Sequence, residues 1–222
     1  MKIGIIVAMG KELDLLLHLL EGHGTVTVND IVFHTGTVGT RQVVAMQCGI
    51  GKVNAAIGTL TLIDTFHPSL VINTGVAGGT GATSVLDIVV ASAVAYHDVW
   101  CGPGTVPGQA SGCPLMLPCA FDPACLDKIP GAKFGPVISG DIFVSRPEEV
   151  AHILSMYPDA LAVDMESAAI AQVCYLKNVP FICMRVISDT PGGDDNISQY
   201  ENFWADAPRH TFEALKTLLA TL

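Results

Sequence analysis

The stretch that most constrains this chain is 160–189, ALAVDMESAAIAQVCYLKNVPFICMRVISD. It predicts strand, helix, strand. Apolar residues lead into Asp164-Met165-Glu166, a small-residue helix runs from Ser167 to about Lys177, and Asn178-Val179-Pro180 breaks it. Residues 181–187 then form a near-continuous apolar run that ends in Ser188-Asp189. Such runs suit parallel strands buried on both faces. In a βαβ unit both strands end at one edge of the sheet, where open α/β folds bind ligands. This places Glu166 and Asp189 at a common edge. Two carboxylates converging on a dry pocket are suited to acid–base work.

The rest of the chain alternates in the same way. Residues 2–9 predict a strand, and Gly10 starts a helix with Leu13, Leu16, Leu17 and Leu20 on one face and Gly22 just past its end. Residues 25–28 and 31–35 alternate around Asn29-Asp30, a hairpin signal. Residues 43–48 predict a strand, Gly49-Ile50-Gly51 a turn, and 52–65 a helix. Residues 69–73 predict a buried strand ending in the turn TGVAGG, and 86–95 a long β-rich run. The Gly- and Pro-rich segment 97–118 is too long for a plain connection. A short strand at 137–139, a helix over 146–157 with Pro147 in its first turn, the polar stretch TPGGDDNIS and a last helix over about 203–219 complete the pattern, with Pro208 marking a possible first turn. Alternating strands and helices imply a layered α/β fold, and the 25–48 region makes its sheet mixed. No linker, charge block or repeat divides the sequence, so residues 1–222 are expected to form one domain.

Charge narrows the function. Eleven Lys and Arg face 21 Asp and Glu, a net charge of −10, which argues against nucleic acid and anionic membranes as partners. No apolar run approaches the roughly 18–20 residues of a membrane span, and the run 3–9 is too short for a typical signal-peptide core. The seven Cys are odd in number and form no CxxC pair, which fits free thiols in a reducing cytoplasm. Cys101, Cys113, Cys119 and Cys125 lie near His97 in sequence but match no zinc spacing, so no metal is expected.

Each remaining motif has an ordinary reading. Gly49-Ile50-Gly51-Lys52-Val53 resembles the end of a P-loop, but Met46 and Val53 stand where Gly and Ser or Thr are required. Residues 74–81 hold no GxGxxG. Tight strand-to-helix turns account for both stretches. Glu12 and Glu166 in first helical turns are ordinary macrodipole partners. Met165 and Phe143 are core residues by default, and His97-Asp98 is a candidate ion pair at a loop root. Asp189 is more informative, because a carboxylate ending a buried strand needs partners.

Six collinear stretches together carry a resemblance: MKIGIIVAM-GKE at the start, GIGKVNAA at 49–56, INTGVAGG at 72–79, SGDIFV at 139–144, VDMESAAIA at 163–171 and RVISD at 185–189. They resemble the purine nucleoside phosphorylase/hydrolase superfamily, and most of all its 5′-methylthioadenosine/S-adenosylhomocysteine nucleosidases. The resemblance implies a three-layer α/β/α sandwich around a mixed, partly barrel-like central sheet, usually a homodimer. It implies hydrolysis of 5′-substituted adenosines to adenine and a free 5-thioribose, in methionine salvage, without a cofactor. By the same resemblance Glu12 holds the attacking water as base, Glu166 binds the ribose 2′- and 3′-hydroxyls with Met165 against the sugar, and Asp189 protonates the purine at N7 with Ser188 positioning it. Phe143 stacks on adenine, the Val144 main chain reads the purine edge, and Met9, Ile50 and Val76 line the ribose end. The chain departs from the family's pattern at Val76, where Ser is common, at Asp164, where Glu is common, and at Gly10, where an acid is common. The 97–117 loop, with Trp100 and 115–117 as an apolar tip, is expected near a partner's pocket. A phosphorylase of the same superfamily and an inactive nucleoside-binding protein are the competing readings.

Overall fold

The structure, a computed structural model, describes residues 1–193, 195–206 and 208–221, with the side chains of 204–206 and 208–212 outside that description. The chain opens with β1 (Lys2–Val7), α1 (Gly10–Leu17), β2 (Glu21–Val28), β3 (Ile31–Val38), β4 (Arg41–Gln47), α2 (Lys52–Phe66), β5 (Leu70–Gly79) and β6 (Ile88–Tyr96). It continues with β7 (Leu117–Pro118), a 3₁₀ turn (Pro123–Lys128), β8 (Ala132–Ser139), α3 (Pro147–Met156), β9 (Ala162–Asp164), α4 (Ser167–Lys177), β10 (Phe181–Asp189), α5 (Asn196–Asp206) and α6 (Pro208–Thr221).

The apolar strands are buried on both faces because each serves two cores. Ile3, Ile5 and Val7 of β1, Val43 and Ala45 of β4, and Ile182, Met184 and Val186 of β10 pack against Leu13 and Leu16 of α1 and Leu215, Leu218 and Leu219 of α6. The alternate residues Ile6, Val44, Met46, Phe181, Cys183 and Ile187 pack on the other face against Leu62 of α2 and Ala168, Ala171 and Cys174 of α4. A two-residue period thus splits each run between two helical layers.

The sheet is mixed. β1 lies parallel between β4 and β5, and β4–β3–β2 continues antiparallel. The β2–β3 hairpin turns at Asn29 and Asp30 with φ of 50° and 62°, as a two-residue turn of that hand requires. Beyond β5 the sheet closes on itself. β5 runs parallel to β10, β10 antiparallel to β6, β6 parallel to β8, β8 parallel to β9, and β9 antiparallel back to β5. The result is a five-stranded barrel carrying an open limb.

Several expectations need correction. β9 and β10 do not end at one edge of a βαβ sheet: β9 runs against β5 and β10 runs with it. Barrel closure brings their ends together instead. The turn expected at TGVAGG is strand, since β5 continues to Gly79 with β10 on one side and β9 on the other. α1 ends at Leu17, because β2 already begins at Glu21, opposite Thr37. Gly22 therefore sits in a strand, at a bulge between Glu21 and Gly24. β8 starts at Ala132 rather than 137, and the polar stretch after Asp189 already contains the start of α5. The last helical region is two helices, with Pro208 opening the second. The Arg209 side chain lies outside the described residues.

Candidate active site

Three residues of β5 organise the site. Gly78 pairs with Val163 of β9 on one side and with Asp189 of β10 on the other. Val76, two residues earlier, donates its N–H to Glu12 Oε1 at 3.0 Å. Gly75 has no side chain where one would intrude, since a Cβ there would lie 2.4 Å from Glu12 Oε1. A solvent-open cleft lies over these residues, with about 710 Å³ of empty space, open solvent included. Glu12, Glu166, Asp189, Met9, Ile50, Val76, Phe143, Val144, Met165 and Ser188 all line it.

The three acids are buried and held differently. Glu12 enters from the first turn of α1. Its Oε2 accepts the N–H groups of Ala8 and Met9 at 3.0 and 2.9 Å. Burial pushes its carboxyl up, and these backbone donors with that of Val76 pull it partly back. Glu166 stands at the start of α4 and its Oε1 accepts the Gly51 N–H at 2.8 Å. Burial, with nearby Asp164 adding to it, pushes Glu166 up to about 7. Asp189 ends β10; its Oδ1 accepts the Ser188 hydroxyl at 2.5 Å and its Oδ2 the Asn196 amide. Burial again pushes the carboxyl up, against those two hydrogen bonds.

The Gly49–Gly51 turn shows why no phosphate loop forms. Gly51 has φ of 94°, which a side chain disfavours, and its N–H is taken by Glu166. Lys52 is spent on Asp98 at 2.8 Å. The expected His97–Asp98 pair is therefore corrected: Asp98 salt-bridges Lys52, while His97 is buried with its Nε2 unpartnered among the described residues. The loop root is tied in by the same Asp98, whose Oδ2 accepts the Asp141 N–H at 2.8 Å just before Phe143. The tip of the 97–117 loop is smaller than expected. Trp100 and Val106 are exposed, but Leu117 is buried and Leu115 and Met116 pack against a core.

Sequence reasoning did not place Arg185, Asn73 or Tyr200 in the cleft, yet all three line it. Arg185 lies in β10 and is almost wholly buried. Its Nε and Nη2 approach Asp164 Oδ2 at 2.9 and 2.8 Å, Nη2 also meets Asn73 Oδ1, and Nη1 donates to the Met184 carbonyl at 3.0 Å. Asp164 Oδ1 in turn accepts from the Ser167 hydroxyl at 3.0 Å and the Ser167 N–H at 3.2 Å. The shorter acid thus caps α4 while holding Arg185. A signal existed, since an Arg inside an apolar strand demands a buried acid. Tyr200 comes from α5, edge-on to Phe143 at 5.6 Å, with its hydroxyl 3.4 Å from Met9 Sδ; nothing in its sequence context announces this.

The phosphorylase superfamily matches residues 2–220. A 5′-methylthioadenosine/S-adenosylhomocysteine nucleosidase of Maridesulfovibrio salexigens is 38% identical, with 100% of each chain covered. One from Staphylococcus aureus is 37% identical over 99% of this chain and 100% of its own. Among solved structures, the S. pneumoniae nucleosidase with the transition-state inhibitor MT-ImmA superposes with a TM-score of 0.92 at 34% identity, covering 100% of this chain and 99% of that one. The Colwellia psychrerythraea nucleosidase in complex with adenine gives 0.92 at 35% identity, covering 100% and 96%.

Proposed function

We infer the reaction from the premise that the chain belongs to the 5′-methylthioadenosine/S-adenosylhomocysteine nucleosidases of the phosphorylase superfamily. It is a nucleosidase that hydrolyses the N-glycosidic bond of 5′-substituted adenosines, releasing adenine. The observation that carries the mechanism is the ring of three separately held acids around residues 75–78 of β5. Cleaving an N-glycoside develops positive charge on the ribose and needs an acid at the leaving group and an activated water on the other face, as in O-glycoside hydrolysis. In this reading Glu12 is the base, fixed by three backbone N–H donors. Glu166 binds the ribose hydroxyls and stabilises the developing cation. Asp189 carries a proton to the purine N7, which its burial favours. Phe143 stacks on adenine, the Val144 main chain reads the purine edge, and Met9, Ile50, Val76 and Met165 enclose the sugar, with Ser188 orienting the acid.

Water, not phosphate, is the nucleophile in this reading. A phosphorylase holds a dianion beside C1′, for which the Arg fork is suited. Among the described residues the one Arg lining the cleft, Arg185, is committed to Asp164, Asn73 and the Met184 carbonyl. Adenine is expected to form at the same rate with and without phosphate, leaving a free 5-thioribose. A sugar 1-phosphate, or a rate that saturates with phosphate, overturns hydrolysis.

We also propose a single catalytic domain over 1–222, a cytoplasmic location suited to seven free thiols, and a homodimer. Ile50, Val53, Ile57 and Leu60 are exposed along α2 and its approach, an apolar stripe at helical spacing that a second copy would cover. Ile50 also lines the cleft, so a partner seated there would border the 5′ end of the substrate. Exposed Trp100 and Val106 in the 97–117 loop are the residues proposed to reach the partner's pocket.

A further inference from the structure

One buried side chain beside the acid is not used by the mechanism so far. Asn196 is 2% exposed and is the first residue of α5. The cap position lies one residue earlier, at Asp195, whose carbonyl accepts the Gln199 N–H at 2.8 Å, so capping does not account for the Asn196 side chain. Here Oδ1 is buried without a hydrogen-bond partner among the described residues. The amide instead donates from Nδ2 to Asp189 Oδ2, while the other carboxylate oxygen takes the Ser188 hydroxyl. Nor is Asn196 alone in fastening the helix to β10. Gln199, one turn on, accepts the Thr190 N–H at 2.8 Å. Among the described residues the side-chain hydrogen bond of Asn196 is to the acid.

The other charged groups around the cleft are engaged elsewhere. Arg185 holds Asp164, Glu166 takes the Gly51 N–H, and Glu12 takes those of Ala8, Met9 and Val76. On α5 and its approach, Asp195 and Glu201 are exposed, and Asp194 lies outside the described residues. Ser188 and Asn196 both hydrogen-bond Asp189 through their side chains.

We propose that Asn196 is a positioning residue for proton transfer, its amide held in place to stabilise the Asp189 carboxylate that remains once the proton has passed to the purine. This rests on the reading of Asp189 as general acid. The transfer is balanced without another group: the Asp189 O–H bond breaks, an N–H bond forms at N7, and the electrons left on Oδ2 are met by the Asn196 N–H. Burial weakens Asp189 as an acid, and a donor to the charged form counters that.

The test is kcat and KM against pH for 5′-methylthioadenosine in wild type, Asn196→Leu, Asn196→Asp and Asp189→Asn. Asn196→Leu keeps the volume and removes the donor. Its kcat is expected to fall about tenfold or more, the scale of a hydrogen bond to a charged group, with KM within about twofold. The basic limb of kcat moves to higher pH, because a weaker acid keeps its proton longer. Asn196→Asp sets a second carboxyl beside the first and moves that limb further up. Adenine binding measured by calorimetry confirms that each variant is folded. If wild type is active and Asp189→Asn is not, while both Asn196 variants bind adenine and keep the wild-type limb, the Asn196 role fails alone. A change confined to KM also overturns it. A wild type that releases no adenine overturns the nucleosidase reading, and this inference with it.

Discussion

Glu166 closes the N-terminus of α2 from far along the chain: its Oε1 accepts the Gly51 N–H at 2.8 Å. A free N–H at a helix start is a ready anion site, and here the protein supplies the anion itself. The arrangement costs stability, because the carboxyl is buried and lies near Asp164.

That cost has a pH signature. The Glu166 pKa rises from an ordinary 4.5 to about 7 on folding. Below about pH 4.5 the group is protonated in both states and stability is full. As pH rises toward 7 the unfolded chain loses its proton first, and folding loses up to roughly 3 kcal/mol. Glu12 and Asp189 are raised too and act with the same sign. Glu166→Gln keeps an acceptor for Gly51, and is expected to be more stable than wild type at pH 8 and no more stable at pH 4. It also loses ribose binding and rate together. Urea midpoints at the two pH values check the first part; parallel pH curves for the two proteins would sink it.

Much of this was legible in the sequence, and the gaps have physical reasons. The apolar runs and small-residue helices gave the layers, and the pairing of Asn29 with Asp30 gave the hairpin. All ten residues assigned to a site by resemblance line one cleft. Barrel closure was not legible in the periodicity, because pairing of β9 with β5 rests on a strand of only three residues, Ala162–Asp164. Glycines read as turn signals misled at 74–79, where the same residues let β5 pass close to Glu12. Asn196 and Tyr200 sit in a polar stretch whose pattern carries no burial signal; only the docking of α5 against β10 gives them roles.

Arg185 and Asp164 are a buried pair, each with relative side-chain exposure of 2%. Removing the cation leaves an unpaired buried carboxylate, which typically costs about 3–5 kcal/mol. Arg185→Met is expected to lose stability on that scale in chemical denaturation. Asp164→Asn in the Arg185→Met background should restore part of it, since the amide oxygen still faces the Ser167 donors without the charge. Equal stability of the single and double variants would show that the charge is not the source.

Gly75 separates the base from the fold. A Cβ at this position would meet Glu12 Oε1 at 2.4 Å and Cδ at 3.0 Å. Gly75→Ala must therefore push the carboxylate off its place or shift β5. A displacement near 1 Å of a catalytic group can cost on the order of 10²-fold in rate. The expected variant binds adenine, which the mechanism places away from Glu12, and turns over about a hundredfold more slowly. Wild-type kcat in Gly75→Ala would show that Glu12 is not held where the mechanism needs it.

The exposed face of α2 gives the test of assembly. Val53 is 68% exposed and Ile57 54%, one turn apart on the same side. Neither lines the cleft, while Ile50, one turn before Val53, does. A charge at Val53 costs the isolated chain little, since the side chain is in water. In a dimer joined through this face it would be buried without a partner, which opposes association. Val53→Asp is therefore expected to fold with wild-type thermal stability at low concentration, to sediment as a monomer, and to lose affinity for 5′-substituted adenosines more than for adenine. In the proposed mechanism adenine lies under Phe143, away from this face, whereas the 5′ group ends near Ile50. A wild-type chain that sediments as a fully active monomer refutes the dimer. A dimeric Val53→Asp instead places the interface on another surface.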